Sequence, residues 1–158
     1  MAIDTSGKWW KGQNADDLVE YIRLLTEQGY PATKFAIAKC ACGADHFRLY
    51  ADRTEGCAKR QCTSCGKDAF ICDSEEISEE ASLQKARCKC KKDVFDVAVG
   101  FALRDTGEIK WITVGARCVS CGMLGAYVDW KIDYAPTDHL YSIESQGRTK
   151  RCQKGVSQ

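Results

Sequence analysis

Residues 88–122 read CKCKKDVFDVAVGFALRDTGEIKWITVGARCVSCG. The segment opens on a C-x-C pair, Cys88 and Cys90, and closes on a C-x-x-C-G turn, Cys118, Cys121 and Gly122. Between them Phe95, Val97, Val99, Phe101 and Leu103 alternate with small or polar residues, the period-two pattern of a strand with one face on a core. Arg104 to Glu108 supplies turn residues, and Ile109 to Ala116 returns as a second strand. The segment is therefore a β-hairpin with a pair of cysteines at each foot.

The same order occurs upstream. Cys40 and Cys42 form a C-x-C pair offset by 48 residues from Cys88 and Cys90, while Cys62 and Cys65 form a C-x-x-C pair offset by 56 from Cys118 and Cys121. The eight extra residues of the second copy lie wholly between its pairs, about four per hairpin arm. On these offsets Phe47 falls on Phe95, Ser64 on Ser120, Gly66 on Gly122 and Asp73 on Asp129, with Leu49 and Ala51 on Val97 and Val99. This is an internal duplication of one small unit. Copy one is a shorter hairpin: Phe47 to Ala51, a turn at Asp52 to Gly56, then Cys57 to Gln61. A further strand follows each C-x-x-C, in copy two with Val128, Trp130, Ile132 and Tyr134 alternating.

Outside the hairpins, one helix is predicted. Asn14 caps it with Asp17 three residues on, and Leu18, Tyr21, Ile22 and Leu25 form an apolar stripe. Gly29 and Pro31 end it, and Phe35 and Ile37 lead into Cys40 as an edge strand. Asp73 and Glu76 form a capping pair for a short helix in the acidic linker. Glu144 to Gln158 is polar and aperiodic, a flexible tail.

Composition explains the need for so many cysteines. Leu, Ile, Val and Phe make up only 19% of the 158 residues, against 11 cysteines. That aliphatic fraction borders on the range in which chains do not fold unaided, so a staple is required. Met1 to Gln13 contains no apolar run of the signal-peptide kind, and the longest apolar stretch, Val97 to Leu103, is too short to span a bilayer. A cytoplasmic location with no membrane association is expected. In that reducing compartment, paired cysteines signal metal or redox chemistry more than disulfides.

Two knuckles at the base of a hairpin bring four sulfurs onto one ion, with Gly66 and Gly122 relieving the backbone where it doubles back. The candidate ligands are Cys40, Cys42, Cys62 and Cys65 in one set and Cys88, Cys90, Cys118 and Cys121 in the other. Residues 40–134 thus resemble a tandem pair of zinc ribbons, departing from the usual pattern in placing C-x-C first. The resemblance implies two structural Zn2+ ions and a mostly β, α+β fold: one N-terminal helix and two duplicated antiparallel units. The expected division is an N-terminal helix and lead-in strand (1–39), a first ribbon (40–73), a linker (74–87), a second ribbon (88–143) and the tail (144–158). Iron suits the same four-sulfur donors. Redox dithiols would need an accessible C-x-x-C beside a βαβ unit, and none is visible.

Three cysteines are left over. Cys57 falls on Thr113 and Cys72 on Val128, so both are expected as buried small hydrophobes, and Cys152 as an exposed thiol in the tail. His46 lies four residues past Cys42, but its counterpart is Val94, which marks it as a non-ligand.

No catalytic signature is present: there are two histidines, no H-E-x-x-H, no G-x-S-x-G and no phosphate-cradling glycine loop. The chain is expected not to be an enzyme. Binding is the alternative, in two forms. The first is capture of a protein partner, as an adaptor, inhibitor or toxin-neutralising protein, through Trp9, Trp10, Trp111, Tyr127, Trp130 and Tyr134. The core between the two units is the competing place for these rings. The second is nucleic-acid binding through Lys85, Arg87, Lys89, Lys91 and Lys92 around the second C-x-C pair, with Lys8-Trp9-Trp10-Lys11 adding aromatics between positive charges. The formal charge of +1 falls to about −3 once eight thiolates hold two zinc ions, so the chain has no wholly basic coat. The oligomeric state is not readable from the sequence.

Overall fold

A computed structural model describes residues 3–142. Cys152 and the tail expected from Glu144 onward lie outside them, as does residue 143 of the second unit.

Asn14 sits in extended backbone and its side chain accepts from the Asp17 amide at 3.0 Å, while the Asp17 carboxylate accepts from the Gln13 amide at 2.8 Å. This reciprocal pair starts α1 (Ala15–Thr26) where the sequence places it. The helix stops at Thr26, short of Gly29. The Thr26 hydroxyl donates to the Ile22 carbonyl and accepts from the Ala32 amide, both at 2.9 Å, turning the chain into β1 (Ala32–Ile37).

The remaining strands are β2 (Phe47–Asp52), β3 (Cys57–Cys62), β4 (Asp68–Phe70), β5 (Gln84–Lys85), β6 (Phe95–Leu103), β7 (Ile109–Cys118) and β8 (Leu124–Lys131). They form a mostly antiparallel β architecture with one α-helix among the described residues. The strand order is β4-β3-β2-β6-β7-β8, with β1 beside β6 and β5 beside β2. The lead-in strand β1 joins the second hairpin, not the first unit that it precedes, pairing Ile37 with Ala98 and Ala32 with Ala102. The reason is an open edge. β6 is nine residues long and β2 occupies it only at Phe95, which leaves the rest of that edge for β1.

β6 is buried on both faces. Phe95, Val97, Val99 and Phe101 belong to the main core, whereas Ala98 packs with Leu18, Ile22 and Leu124 under α1. The helix comes this close because the sheet is bare there. A Cβ on Gly100 would lie 2.7 Å from Ile22 Cγ2, and one on Gly115 2.9 Å from Ile22 Cδ1.

The sheet also curls, so that β8 meets β2 and β3. Arg53, in the first hairpin's turn, donates from Nε to the Tyr127 carbonyl at 3.0 Å. Trp130 lies inside this curl, only 6% exposed, against Gly56 at φ +72, where a Cβ would come within 2.6 Å of Trp130 Cβ. Its indole Nε1 donates to Asp73 Oδ1 at 3.0 Å, and the Tyr134 hydroxyl donates to Asp73 Oδ2 at 2.6 Å.

These bonds correct one expectation and decide between the alternatives of another. Asp73 caps no helix; the turn after it, Ser74–Ile77, is a short 3-10 turn with no side-chain cap, because the carboxylate is engaged across the molecule. Of the two places the sequence leaves open for the aromatic rings, Trp130 takes the interior one, and Tyr134 is half-buried and tied to the same interior carboxylate. Among the described residues no helix is long and apolar enough to cross a membrane.

Candidate metal centres

Each knuckle is a hydrogen-bonded turn, and the second set repeats the first. In the C-x-C turns, the Cys40 amide donates to the Ala44 carbonyl and the Cys88 amide to the Lys92 carbonyl, both at 2.8 Å. The residue after each pair, Gly43 or Lys91, has positive φ (+97 and +79) and donates back to the first cysteine's carbonyl. In the C-x-x-C turns, Gly66 and Gly122 donate to the Cys62 and Cys118 carbonyls at 3.0 and 2.8 Å. The two knuckles of each set are tied together as well, Thr63 to His46 in one and Val119 to Val94 in the other.

The sulfurs therefore converge into two quartets, each with all four Sγ atoms within 4.8 Å of one another. Across the first, Cys40 and Cys65 are 3.6 Å apart, as are Cys42 and Cys62; across the second, Cys88–Cys121 is 3.5 Å and Cys90–Cys118 is 3.6 Å. A tetrahedron with metal–sulfur bonds of about 2.3 Å has edges of roughly 3.8 Å, so either quartet fits a tetrahedral ion. The donor set is purely sulfur, suited to soft metals. Both quartets could hold a metal ion.

One rung of the sheet joins the two centres. Cys62 pairs with Phe47, Phe47 with Phe95, and Phe95 with Cys118, across β3, β2, β6 and β7. Cys40, Cys62, Cys88 and Cys118 are buried in the same hydrophobic core, whereas Cys42, Cys65 and Cys90 are exposed and Cys121 half-buried. Each quartet thus straddles core and solvent.

Hydrogen bonding sorts the thiols. The Cys65 amide foremost, then the Ser64 amide, draws the Cys62 thiol down to about 6, and the Lys92 amide draws Cys90 down to about 7. The Ala44 amide pulls on Cys42, but the Cys40 and Cys62 sulfurs outweigh it and hold that thiol up, at about 11. Burial pushes Cys88 up to about 12. Burial raises Cys118 as well, so with no metal each quartet mixes thiols that ionise readily with thiols that resist, and an incoming ion must displace protons from the resistant ones.

Cys57 and Cys72 stand apart from both quartets. They are buried, and their thiols donate to the Ser74 carbonyl at 3.5 Å and the Leu140 carbonyl at 3.6 Å. His46 faces Asp96, with Nε2 3.4 Å from Oδ1, and the other Asp96 oxygen accepts from Arg117 Nη1 at 2.8 Å.

The aromatic residues singled out in the sequence divide among several settings. Trp111 is half-buried and stacks on Tyr30 at 4.9 Å; Tyr127 is half-buried and meets Phe95 edge-on at 5.5 Å. Trp10 is half-buried edge-on to Tyr21, and Trp9 is 45% exposed. Of the basic residues, Lys85 is paired with Asp93 at 2.9 Å, Arg87, Lys91 and Lys92 are exposed, and Lys89 lies over the Trp9 ring, 5.5 Å from its centre.

The meeting of Lys89 and Trp9 was not visible in the sequence. It arises because the N-terminal segment docks on the second C-x-x-C knuckle. Gly12 donates to the Gly122 carbonyl, Leu124 donates to the Trp10 carbonyl, each at 2.8 Å, and Lys11 bridges to Met123. Gly122, at φ +85, has a second role here: a Cβ on it would lie 2.8 Å from the Gly12 carbonyl oxygen.

No protein-family model, curated protein or solved structure matches the chain.

Proposed function

We propose that the chain is a non-catalytic protein-binding module held together by two structural zinc ions, a tandem pair of zinc ribbons folded into one sheet. The observation that carries the metal-binding part of this reading is the convergence of eight cysteine sulfurs into two four-membered sets at tetrahedral spacing. Cys40, Cys42, Cys62 and Cys65 would hold one ion, and Cys88, Cys90, Cys118 and Cys121 the other. Four thiolates complete zinc's coordination and leave no position for a reactive water, which supports a structural role and no catalysis. Zinc in such sites supplies folding free energy of about 10 kcal/mol each, enough to offset the shortage of aliphatic residues. The matched hydrogen bonds of the two quartets support their reading as copies of one unit. Eight thiols kept for metal suit a reducing compartment, and we assign the protein to the cytoplasm on that ground.

Metal analysis of the purified protein tests the centre directly. Two zinc ions per chain and a colourless solution are expected; visible absorbance with stoichiometric iron would replace zinc by iron. Lowering the pH should release the metal, because protons compete for the thiolates. Capture of one specific protein partner at stoichiometric yield tests the binding role. The contact of Lys8 and Lys89 with Trp9 favours a second reading, a nucleic-acid-binding ribbon, since it gathers positive charge around an exposed aromatic ring. A steep fall of oligonucleotide affinity with salt would be its mark.

A further inference from the structure

We propose that the groove beside Trp9 docks an acidic segment of a partner protein that inserts a bulky apolar side chain. This rests on the protein-module reading and gives it a surface. The groove, of about 380 Å3, lies between the N-terminal segment, α1 and the start of β8. Its apolar lining is Trp9, Trp10, Tyr21, Leu24, Leu25 and Leu124.

Two of these are exposed in a way that the fold does not require. Leu25, the fourth residue of the helix stripe, is 49% exposed, and Trp9 is 45% exposed. Ile22 is the stripe residue that seats α1 over Gly100 and Gly115; one turn later, Leu25 lies beyond that seat. The result is an apolar recess open to solvent, in a chain with few large apolar residues to spare.

The rim selects the occupant by charge. The Lys8 and Lys89 ammonium groups lie 5.3 and 5.5 Å from the centre of the Trp9 ring. Neither is ion-paired with a carboxylate among the described residues. Two cations held against one indole leave the mouth of an apolar groove positive, which calls for an anionic ligand with an apolar anchor. Leu24, Leu25 and Leu124 form pocket walls for a side chain. Single-stranded nucleic acid would instead want successive open aromatic faces, and Trp10 is engaged edge-on by Tyr21 at 6.1 Å.

The test uses the metal-loaded full chain and a short labelled peptide carrying Phe and Leu among Asp and Glu, read by fluorescence anisotropy. The expected result is saturable binding. Leu25→Asp, and the pair Lys8→Gln with Lys89→Gln, should each weaken it tenfold or more, with both metal ions retained, which is measured on each variant because Lys89 lies inside the second C-x-C knuckle. Replacing the peptide's acids by Asn and Gln should also abolish binding. The proposal is overturned by no binding to the wild-type chain, by binding that these variants leave intact, or by preference for an oligonucleotide of equal charge. If Leu25→Asp still captures the wild-type protein's own partner, the docking site is wrong and the module reading stands. If the wild-type chain captures no specific protein, the module reading itself falls.

Discussion

Asp73 illustrates what a single buried residue does here. It has no solvent exposure, and it accepts from Trp130 and Tyr134 on the far side of the curled sheet. Hydrogen bonds to a charged group contribute about 1.5–3 kcal/mol, and a buried donor left unpaired costs a further amount. Asp73→Ala should therefore lower stability in urea by about 3 kcal/mol or more, while Tyr134→Phe should cost about half of that. Equal effects of the two would show that the Trp130 bond contributes little. Gly56 sets the other side of this latch. With φ +72 and Trp130 against it, Gly56→Ala should cost at least about 1–2 kcal/mol from the left-handed backbone alone, and more from the displaced indole. Tyr127 gives a pH signature: burial foremost, then the nearby Cys88, Cys118 and Cys121 charges, raises its phenol to about 12. The folded state thus favours the neutral phenol. That contribution is complete below pH 10 and is lost as the pH rises from 10 to about 12. Tyr127→Phe should flatten the alkaline unfolding curve in that window; an unchanged curve would assign the loss to another group.

Among the elements, α1 leans on β6 more than on any other. The strand alternates large and small residues, and the small ones, Ala98 and Gly100, admit the helix. Gly100→Val would place atoms where Ile22 sits, at a cost of about 1–3 kcal/mol for an overpacked interface. We expect hydrogen exchange to accelerate in α1 while the two hairpins stay protected; uniform loss of protection would mean that helix and sheet unfold as one unit. The sequence marks this interface only weakly. Positions 98, 100 and 102 look like the solvent side of an alternating strand, yet Ala, Gly and Ala there are too small and apolar for that role. The hairpins themselves were legible, since β2, β3, β6 and β7 start at Phe47, Cys57, Phe95 and Ile109 as the alternation and the turns place them. Lead-in strand β1 was legible as a strand but not in its pairing, which depends on which edge the folded sheet leaves open.

On the scale of the whole molecule, the rung Cys62–Phe47–Phe95–Cys118 links the two candidate metal centres through one run of paired strands. Their inner sulfurs sit in one core, so removing an ion from one would be expected to unseat residues that frame the other. Cys62→Ser should lower metal content by more than one ion per chain and weaken binding at the intact quartet, and calorimetry of the wild-type chain should show one transition. Two separate transitions, or a variant that keeps one full-affinity ion, would mean that the centres act independently.

What the sequence determined by itself is local and periodic. Cysteine spacing selects the two quartets, alternation selects the hairpins, and Asn14 with the Leu18–Ile22 stripe selects the helix, because each signal spans only a few residues and is written in backbone geometry. What the tertiary structure decided is long-range. Phe47 and Phe95 are equivalent in the sequence register, but only the folded sheet sets them side by side. Trp130 looks like any exposed-strand aromatic until the sheet curls and Asp73 reaches it from 57 positions away. Trp9 gains Lys89 only when the N-terminus docks on Gly122. Contacts of this kind depend on which surfaces remain unpaired after the local elements have formed, and no short window of sequence contains that information.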